Sequence, residues 1–174
     1  MHNLAEAHAT NAGDDQAFNE GKFLTFVLSN ESYGISITKV REIIGMMPVT
    51  RVPQSCGFIK GVINLRGKVI PVIDLRRRFG MAETDDTNRT CIIVVEIDAQ
   101  GGGNVQMGIV VDSVSEVLNI PGDDIEEPPG FGAGANTSYI MGLAKIDASV
   151  KILIDIDRVL GHEDARNLMR AVQE

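Results

Sequence analysis

Tryptophan is absent from this 174-residue chain, and only two tyrosines and six phenylalanines stand in for it. So thin an aromatic supply leaves little with which to stack unpaired bases. Cysteine is confined to Cys56 and Cys91, too few for a disulfide framework, so a reducing cytoplasm is the simplest setting. No apolar run approaches the ~20 residues that span a bilayer. The opening MHNLAEAHATNAGDDQAFNEG lacks the basic and apolar blocks of a secretory signal. The three histidines, His2, His8 and His162, form no cluster that would serve as metal site or general base.

Enzyme signatures are missing as well. There is no C-x-x-C, H-E-x-x-H or P-loop, and Gly130, Gly132 and Gly134 lie in a loop with no strand before them and no helix after. Asp123, Asp124, Glu126 and Glu127 cluster in the loop 118–138 without an EF-hand pattern, and read as a solvated acidic loop. Neither a metal nor a cofactor is expected, and the chain is read as no enzyme. Asp74 and Asp155 could be taken for a carboxylate pair, but each ends a strand before a short turn closed by glycine, and an N-cap role accounts for both. Thr38 and Asp112, also cap-type residues, are expected to start the turns that contain Val40 and Val114.

Charge is unevenly shared. Net charge is −8, yet residues 1–80 carry ten Lys and Arg against seven Asp and Glu, whereas residues 81–174 carry six against seventeen. An acidic half does not track a phosphate backbone. Faces of opposite sign suit contacts with other proteins in a defined orientation. The densest positive run, Arg76-Arg77-Arg78, reads as a solvated short helix.

What the chain does have is short β-branched and aromatic runs separated by turn residues, the spacing of small sheets or barrels. FLTFVL–SNES–YGISI and TCIIVVEI–DAQGGGN–VQMGIVV read as two hairpins. A helical period appears at the end, where Ala165, Leu168, Met169 and Val172 share a face. An internal repeat underlies the pattern. Residues 33–43 align with 107–117 at an offset of 74, and residues 58–80 with 139–161 at an offset of 81, with seven of 23 positions identical in the second pair. The chain therefore reads as a duplicated β-unit.

The duplication separates scaffold from specialisation. Val69, Pro71, Ile73 and Leu75 alternate along one strand, as Val150, Ile152, Ile154 and Ile156 do in the second copy, so this face is expected to be core in both. Pro71 removes a ladder donor and marks its strand as an edge or a bulge. Asn64-Leu65-Arg66-Gly67 becomes Lys145-Ile146-Asp147-Ala148, so the scaffold has no need of Arg66, and a planar five-donor guanidinium suits an interface anchor. Ile70 and Val72 point away from the shared core, where the second copy has Lys151 and Leu153. That face is expected either to pack on the sister barrel or to meet a partner.

The segments YGISITKVREII, VTRVP, FIKGVINLRGKVIPVIDLRRRFG, GIVVDSVSEVL and YIMGLAKID closely resemble the CheW-type chemotaxis coupling proteins of bacteria, over about residues 22–161. The resemblance implies an all-β fold of two five-stranded β-barrels around a shared hydrophobic core. The expected organisation is a flexible tail over 1–21, a CheW-like domain over 22–161 with intertwined barrels (repeat halves about 22–80 and 89–161), and a C-terminal helix over 162–174. It also implies a non-enzymatic adaptor joining a CheA-type histidine kinase to methyl-accepting chemoreceptors, cytoplasmic and recruited to receptor arrays at the inner face of the membrane, without inserting into it. On the matching motifs, Arg66 resembles the arginine implicated in receptor coupling. Val40 and Glu42 resemble a pair implicated in receptor and kinase contacts, and Thr50, Gly61 and Gly67 positions linked to coupling. The expected partner-binding set is thus Arg66, Asn64, Gly67, Val40, Glu42, Thr50, Gly61, Ile70 and Val72. The alternative, a small nucleic-acid-binding barrel, is opposed by the acidic charge and scarce aromatics.

Overall fold

The computed structural model describes residues 21–53, 57–99, 103–128 and 138–159. The expected tail up to residue 20, the C-terminal helix and Cys56 lie outside the described residues. Among the described residues eleven strands follow one another: β1 (Lys22–Leu28), β2 (Glu31–Ser36), β3 (Val40–Gly45), β4 (Ile59–Leu65), β5 (Lys68–Asp74), β6 (Cys91–Ala99), β7 (Gly103–Val111), β8 (Ser113–Asn119), β9 (Ile125–Glu126), β10 (Ile140–Ile146) and β11 (Ser149–Ile154). Two single-turn helices, α1 (Leu75–Arg78) and α2 (Ile156–Val159), follow β5 and β11. Both expected hairpins form, as β1–β2 and β6–β7. At the first, Ser29 and Asn30 take φ of 52° and 68°, the paired left-handed turn whose twist matches its strands.

The strands assemble into a five-stranded sheet in the order β3-β6-β7-β5-β4 and a six-stranded sheet in the order β8-β1-β2-β11-β10-β9. The sixth strand is the two-residue β9, whose Glu126 pairs with Leu143. At the equivalent place in the first sheet, Thr50 makes a single bridge to Val62. The repeats are woven together: the β1–β2 hairpin of the first sits in the sheet of the second, and β6–β7 of the second sits in the sheet of the first. Two short parallel ladders join them, with Val72 opposite Gly108 and Leu153 opposite Gly34. These pairs are equivalent at the offsets of 81 and 74. Both glycines are demanded by close approach, since a Cβ on Gly34 would lie 2.8 Å from a Leu153 methyl and one on Gly108 2.7 Å from an Ile92 methyl.

Apolar side chains collect in three places. A shared core between the sheets contains Phe26, Ile35, Ile73, Leu75, Ile93, Met107, Ile109, Ile154 and Ile156. Ile63, Ile70, Val72, Ile92 and Val94 fill the inside of the first barrel, and Phe23, Ile120, Ala144 and Leu153 that of the second. Ile73 and Leu75 therefore lie on the expected core face, but Val69 and Val150 at the far end of that face are 44% and 46% exposed. Both precede the point where the parallel ladders begin. Pro71 lies on an interior strand and not on an edge, and the irregularity in its pairing falls next to it, where β4 bulges between Ile59 and Gly61 opposite Ile73 and Val72. Val62 directs its N–H and C=O to Thr50, so the Val62–Pro71 pair asks no donor of the proline from that side.

The arginine run is not a solvated cluster. Arg76 sends Nε to Asp112 Oδ1 at 2.8 Å and a second N–H to Oδ2. Arg77 reaches Glu83 at 2.8 Å and the Gly57 carbonyl, and Arg78 donates to the Val159 carbonyl. Asp74 caps α1 as expected, accepting from the Arg76 N–H at 3.0 Å, and Asp155 accepts from the Asp157 N–H at 3.0 Å. Thr38 starts no turn, for Ser36 caps the 3-10 turn Ile37–Lys39. Asp112, between β7 and β8, accepts the Ser29 N–H at 2.8 Å in place of capping a turn at Val114.

Candidate interaction site

Leu65, Arg66, Gly67 and Lys68 form the tip joining β4 to β5. Arg66 and Gly67 have φ of 53° and 86°, a two-residue turn of the mirror-image type that hairpin twist favours. Asn64 fixes it, its side-chain oxygen accepting the Gly67 N–H at 2.8 Å. A left-handed backbone costs a non-glycine residue roughly 1–2 kcal/mol, and an arginine held there is a strained residue at a place the fold leaves open. Its side chain is 68% exposed.

That guanidinium bonds the Glu42 carboxylate. The hydrogen bond holds Glu42 below the ordinary glutamate range, and the same contact raises Arg66. The contact has a topological meaning. β3 and β4 are the two ends of the five-stranded sheet, no ladder joins them, and Arg66 with Glu42 spans from one to the other. The ion pair thus clasps the mouth of the first barrel while most of the Arg66 side chain stays exposed. In the second barrel the equivalent residues are Asp147 and Glu116, like charges that can form no clasp. Lys145, the counterpart of Asn64, pairs instead with Glu126 at 3.1 Å.

The other expected residues divide. A bulge between Val40 and Glu42 shifts the alternation of β3, so Val40 packs half-buried on the shared core while Arg41 points out to Glu96. Thr50 is exposed, and its backbone N–H and C=O both bond Val62 at 2.8 Å. Gly61 makes that bridge possible: its φ is 152°, and a Cβ there would stand 2.2 Å from the Thr50 carbonyl oxygen. Gly61 thereby belongs to the scaffold that holds Thr50 at the edge.

Ile70 and Val72 are corrections. They are 1% and 0% exposed and enclosed inside the first barrel, so they form neither a surface for a partner nor a face against the sister barrel. β5 is covered on both faces, Ile73 packing in the shared core and Ile70 and Val72 in the barrel interior, and a strand buried on both faces carries apolar residues throughout. The sequence reading also missed two residues. Ile43, beside Glu42, is 46% exposed, and Val69 follows the hairpin tip, so exposed apolar residues border the clasp in sequence. Their repeat equivalents Val117 and Val150 are exposed too. That recurrence, an apolar residue kept at a strand end in both copies, was the available signal.

Among the described residues no group of His, Cys, Asp and Glu is arranged to hold a metal ion, and no helix is long and apolar enough to cross a membrane. Burial raises the Cys91 thiol, making it a poor nucleophile. The arrangement presents an exposed charged clasp with exposed apolar residues beside it in sequence.

Comparison with known proteins gives a consistent picture. The CheW-like domain family matches residues 22–164. The chain is 41% identical over 143 residues to the chemotaxis protein CheW of Klebsiella aerogenes, covering 82% of this chain and 83% of that one. To CheW of Rhizobium meliloti it is 31% identical over 160 residues, 92% of this chain and 96% of the other. The crystal structure of the scaffolding protein TtCheW from Thermoanaerobacter tengcongensis superimposes with a TM-score of 0.73 at 36% identity, covering 83% of this chain and 96% of that one.

Proposed function

This chain belongs to the CheW-like domain family, and on that premise we propose that it is a non-enzymatic adaptor that couples the cytoplasmic tips of methyl-accepting chemoreceptors to a CheA-type histidine kinase. The woven architecture presents two barrels as one body, each with its own exposed edge, which suits a protein that bridges partners. Single contacts of this kind are small, and avidity within a receptor array strengthens them.

The observation that carries the reading is the clasp. Arg66 is held in a left-handed conformation on an open hairpin tip, paired with Glu42, where the second repeat has two acidic residues. An exposed arginine with five donors, one of them bonded to Glu42, retains others for a carboxylate of a partner while Glu42 keeps it aimed. Exposed Ile43 follows Glu42 and exposed Val69 pairs with Asn64, while exposed Thr50 lies farther along β4, opposite Val62. Recruitment to receptor arrays at the membrane follows from the receptor contact.

The test is co-purification of the protein with a CheA-type kinase and a receptor cytoplasmic fragment. A ternary complex that is lost with Arg66→Asp supports the adaptor; absence of any complex with the wild-type protein overturns it.

A further inference from the structure

Arg78 makes an unusual contact for a repeat protein: its Nε donates to the carbonyl of Val159, the residue that occupies its own position in the second repeat at the offset of 81. A residue in contact with its own equivalent lies on the local two-fold axis that relates the repeats. The same guanidinium sits over the rings of Phe58 and Tyr139, 5.7 and 5.6 Å from their centroids, and these two residues are again equivalent at 81. Their carbonyls accept the equivalent N–H groups of Asp74 and Asp155, at 2.8 and 2.7 Å. One side chain from one repeat thus touches matching elements of both.

Its surroundings show what freedom it removes. Away from the axis, the two places where the chain passes between barrels are already pinned by ion pairs. Asp112 holds Arg76, and Asp157 holds Lys39 at 2.7 Å. Beside Arg78 the barrels meet through Phe79, whose ring stacks on Tyr33 and Tyr139 with centroids 5.7 and 4.7 Å apart, Phe26 lying behind Tyr33 at 5.8 Å. Stacked rings and apolar contacts hold a separation but tolerate sliding, because hydrophobic attraction is not directional. A hydrogen bond is directional, and Arg78 supplies one across the axis. Val159 has no donor on its side chain, so the second repeat offers no substitute.

We infer that Arg78 is the positioning residue that registers the two barrels at their local two-fold axis, so that partners on different barrels keep a fixed mutual orientation. This rests on the adaptor reading for its consequence, though not for its geometry. The experiment uses the full chain with Cys56→Ser and Cys91→Ser, spin-labelled through Asn104→Cys on the first barrel and Ser149→Cys on the second, both exposed positions. Pulsed dipolar spectroscopy then reads the distance distribution between the barrels. Wild type and Arg78→Lys, which keeps a cationic donor, should give one narrow distribution; Arg78→Leu should broaden it at least twofold. If Arg78→Leu does not fold, Arg78→Met is measured with the same expectation. In the unlabelled protein, Arg78→Leu should bind kinase and receptor fragment separately with affinities within twofold of wild type, while receptor control of the kinase falls at least fivefold and returns with Arg78→Lys. Equal widths overturn the proposal, as does a broadened distribution with full kinase control. Wild-type protein that binds neither partner would defeat the adaptor reading alone, and the label widths would still decide the registration.

Discussion

Arg76 and Asp157 occupy the same position in the two repeats, carry opposite charge, and make the same connection. Each reaches from the helical turn after a barrel strand to the crossover of the other repeat, Arg76 to Asp112 and Asp157 to Lys39. At each crossover the carboxylate also accepts one backbone N–H, from Ser29 to Asp112 and from Asp98 to Asp157. Only the side supplying the cation has changed. A repeat facing a copy of itself would set Arg76 against Thr38, or Asp157 against Ser113, so reversed polarity favours the mixed pairing over either like one.

The polarity can be swapped by mutation. Arg76 is only 15% exposed, and Arg76→Ala should cost about 1.5–3 kcal/mol, the range for a hydrogen-bonded charge. Arg76→Asp should cost more, by opposing Asp112, and Arg76→Asp combined with Asp112→Lys should recover part of the loss by restoring opposite charges, the Ser29 N–H having lost its acceptor. Denaturant midpoints of the four proteins measure this; a double variant no better than Arg76→Asp would contradict it.

Acidification should probe the same pair. Burial alone would raise Asp112, but the Arg76 hydrogen bonds and the Ser29 N–H outweigh it and leave the carboxyl below its ordinary value. A depressed folded-state value means stabilisation that is present above the unfolded value, about 3.9, and is lost as pH falls through the folded one. The stability gap between wild type and Arg76→Ala should therefore be full at neutral pH and shrink below about pH 4. Urea titrations from pH 7 to pH 3 would show it, and a gap that widens with acid would refute the assignment.

Arg66→Asp places the second repeat's residue at the tip, where aspartate tolerates a left-handed backbone better than arginine does. Melting should stay close to that of wild type, while capture of the receptor fragment falls at least tenfold. Calorimetry beside a pull-down separates the two. Intact capture would remove Arg66 from the contact, and a collapsed melt would make it structural.

Two glycines of the site should respond differently to alanine. Gly61→Ala puts a Cβ 2.2 Å from the Thr50 oxygen, whereas a Cβ on Gly67 meets nothing within 4 Å. Gly67→Ala should cost about 1 kcal/mol for its left-handed backbone, and Gly61→Ala at least about 2 kcal/mol, with the Thr50–Val62 bridge opened. Hydrogen exchange at the Thr50 and Val62 amides would report the opening, and equal effects of the two substitutions would count against it.

Val72→Arg should prevent folding outright, because an unpaired charge would stand inside the first barrel. Ile70→Ala should cost about 2–5 kcal/mol by leaving a cavity without a selective loss of binding. A folded Val72→Arg protein that bound receptor poorly would restore the face to the interface.

How much of this was legible depends on the range of each interaction. The hairpins, the Asp74 cap and the equivalence of the repeats were readable because each rests on neighbours in sequence or on similarity between segments. The weaving was not, since a parallel ladder pairing Val72 with Gly108 leaves no local period. Ile70 and Val72 were misplaced for the same reason: a strand covered on both faces presents no polar side to orient it. The arginine run misled because charge density says nothing of partners, and Asp112, Val159 and Gly57 are distant along the chain. At the site, repeat divergence singled out Arg66, while its pairing with Glu42 across the open edge of the sheet became visible only in three dimensions.

The interlacing of hairpins bears on what a nick would do. Cleaving the exposed connection between Glu83 and Arg89 would yield two pieces, each owning strands that the other needs to finish its sheet. Neither piece holds a self-sufficient barrel, so the severed protein would stay together as a tight non-covalent pair, and two separately expressed pieces should rebuild the whole when mixed.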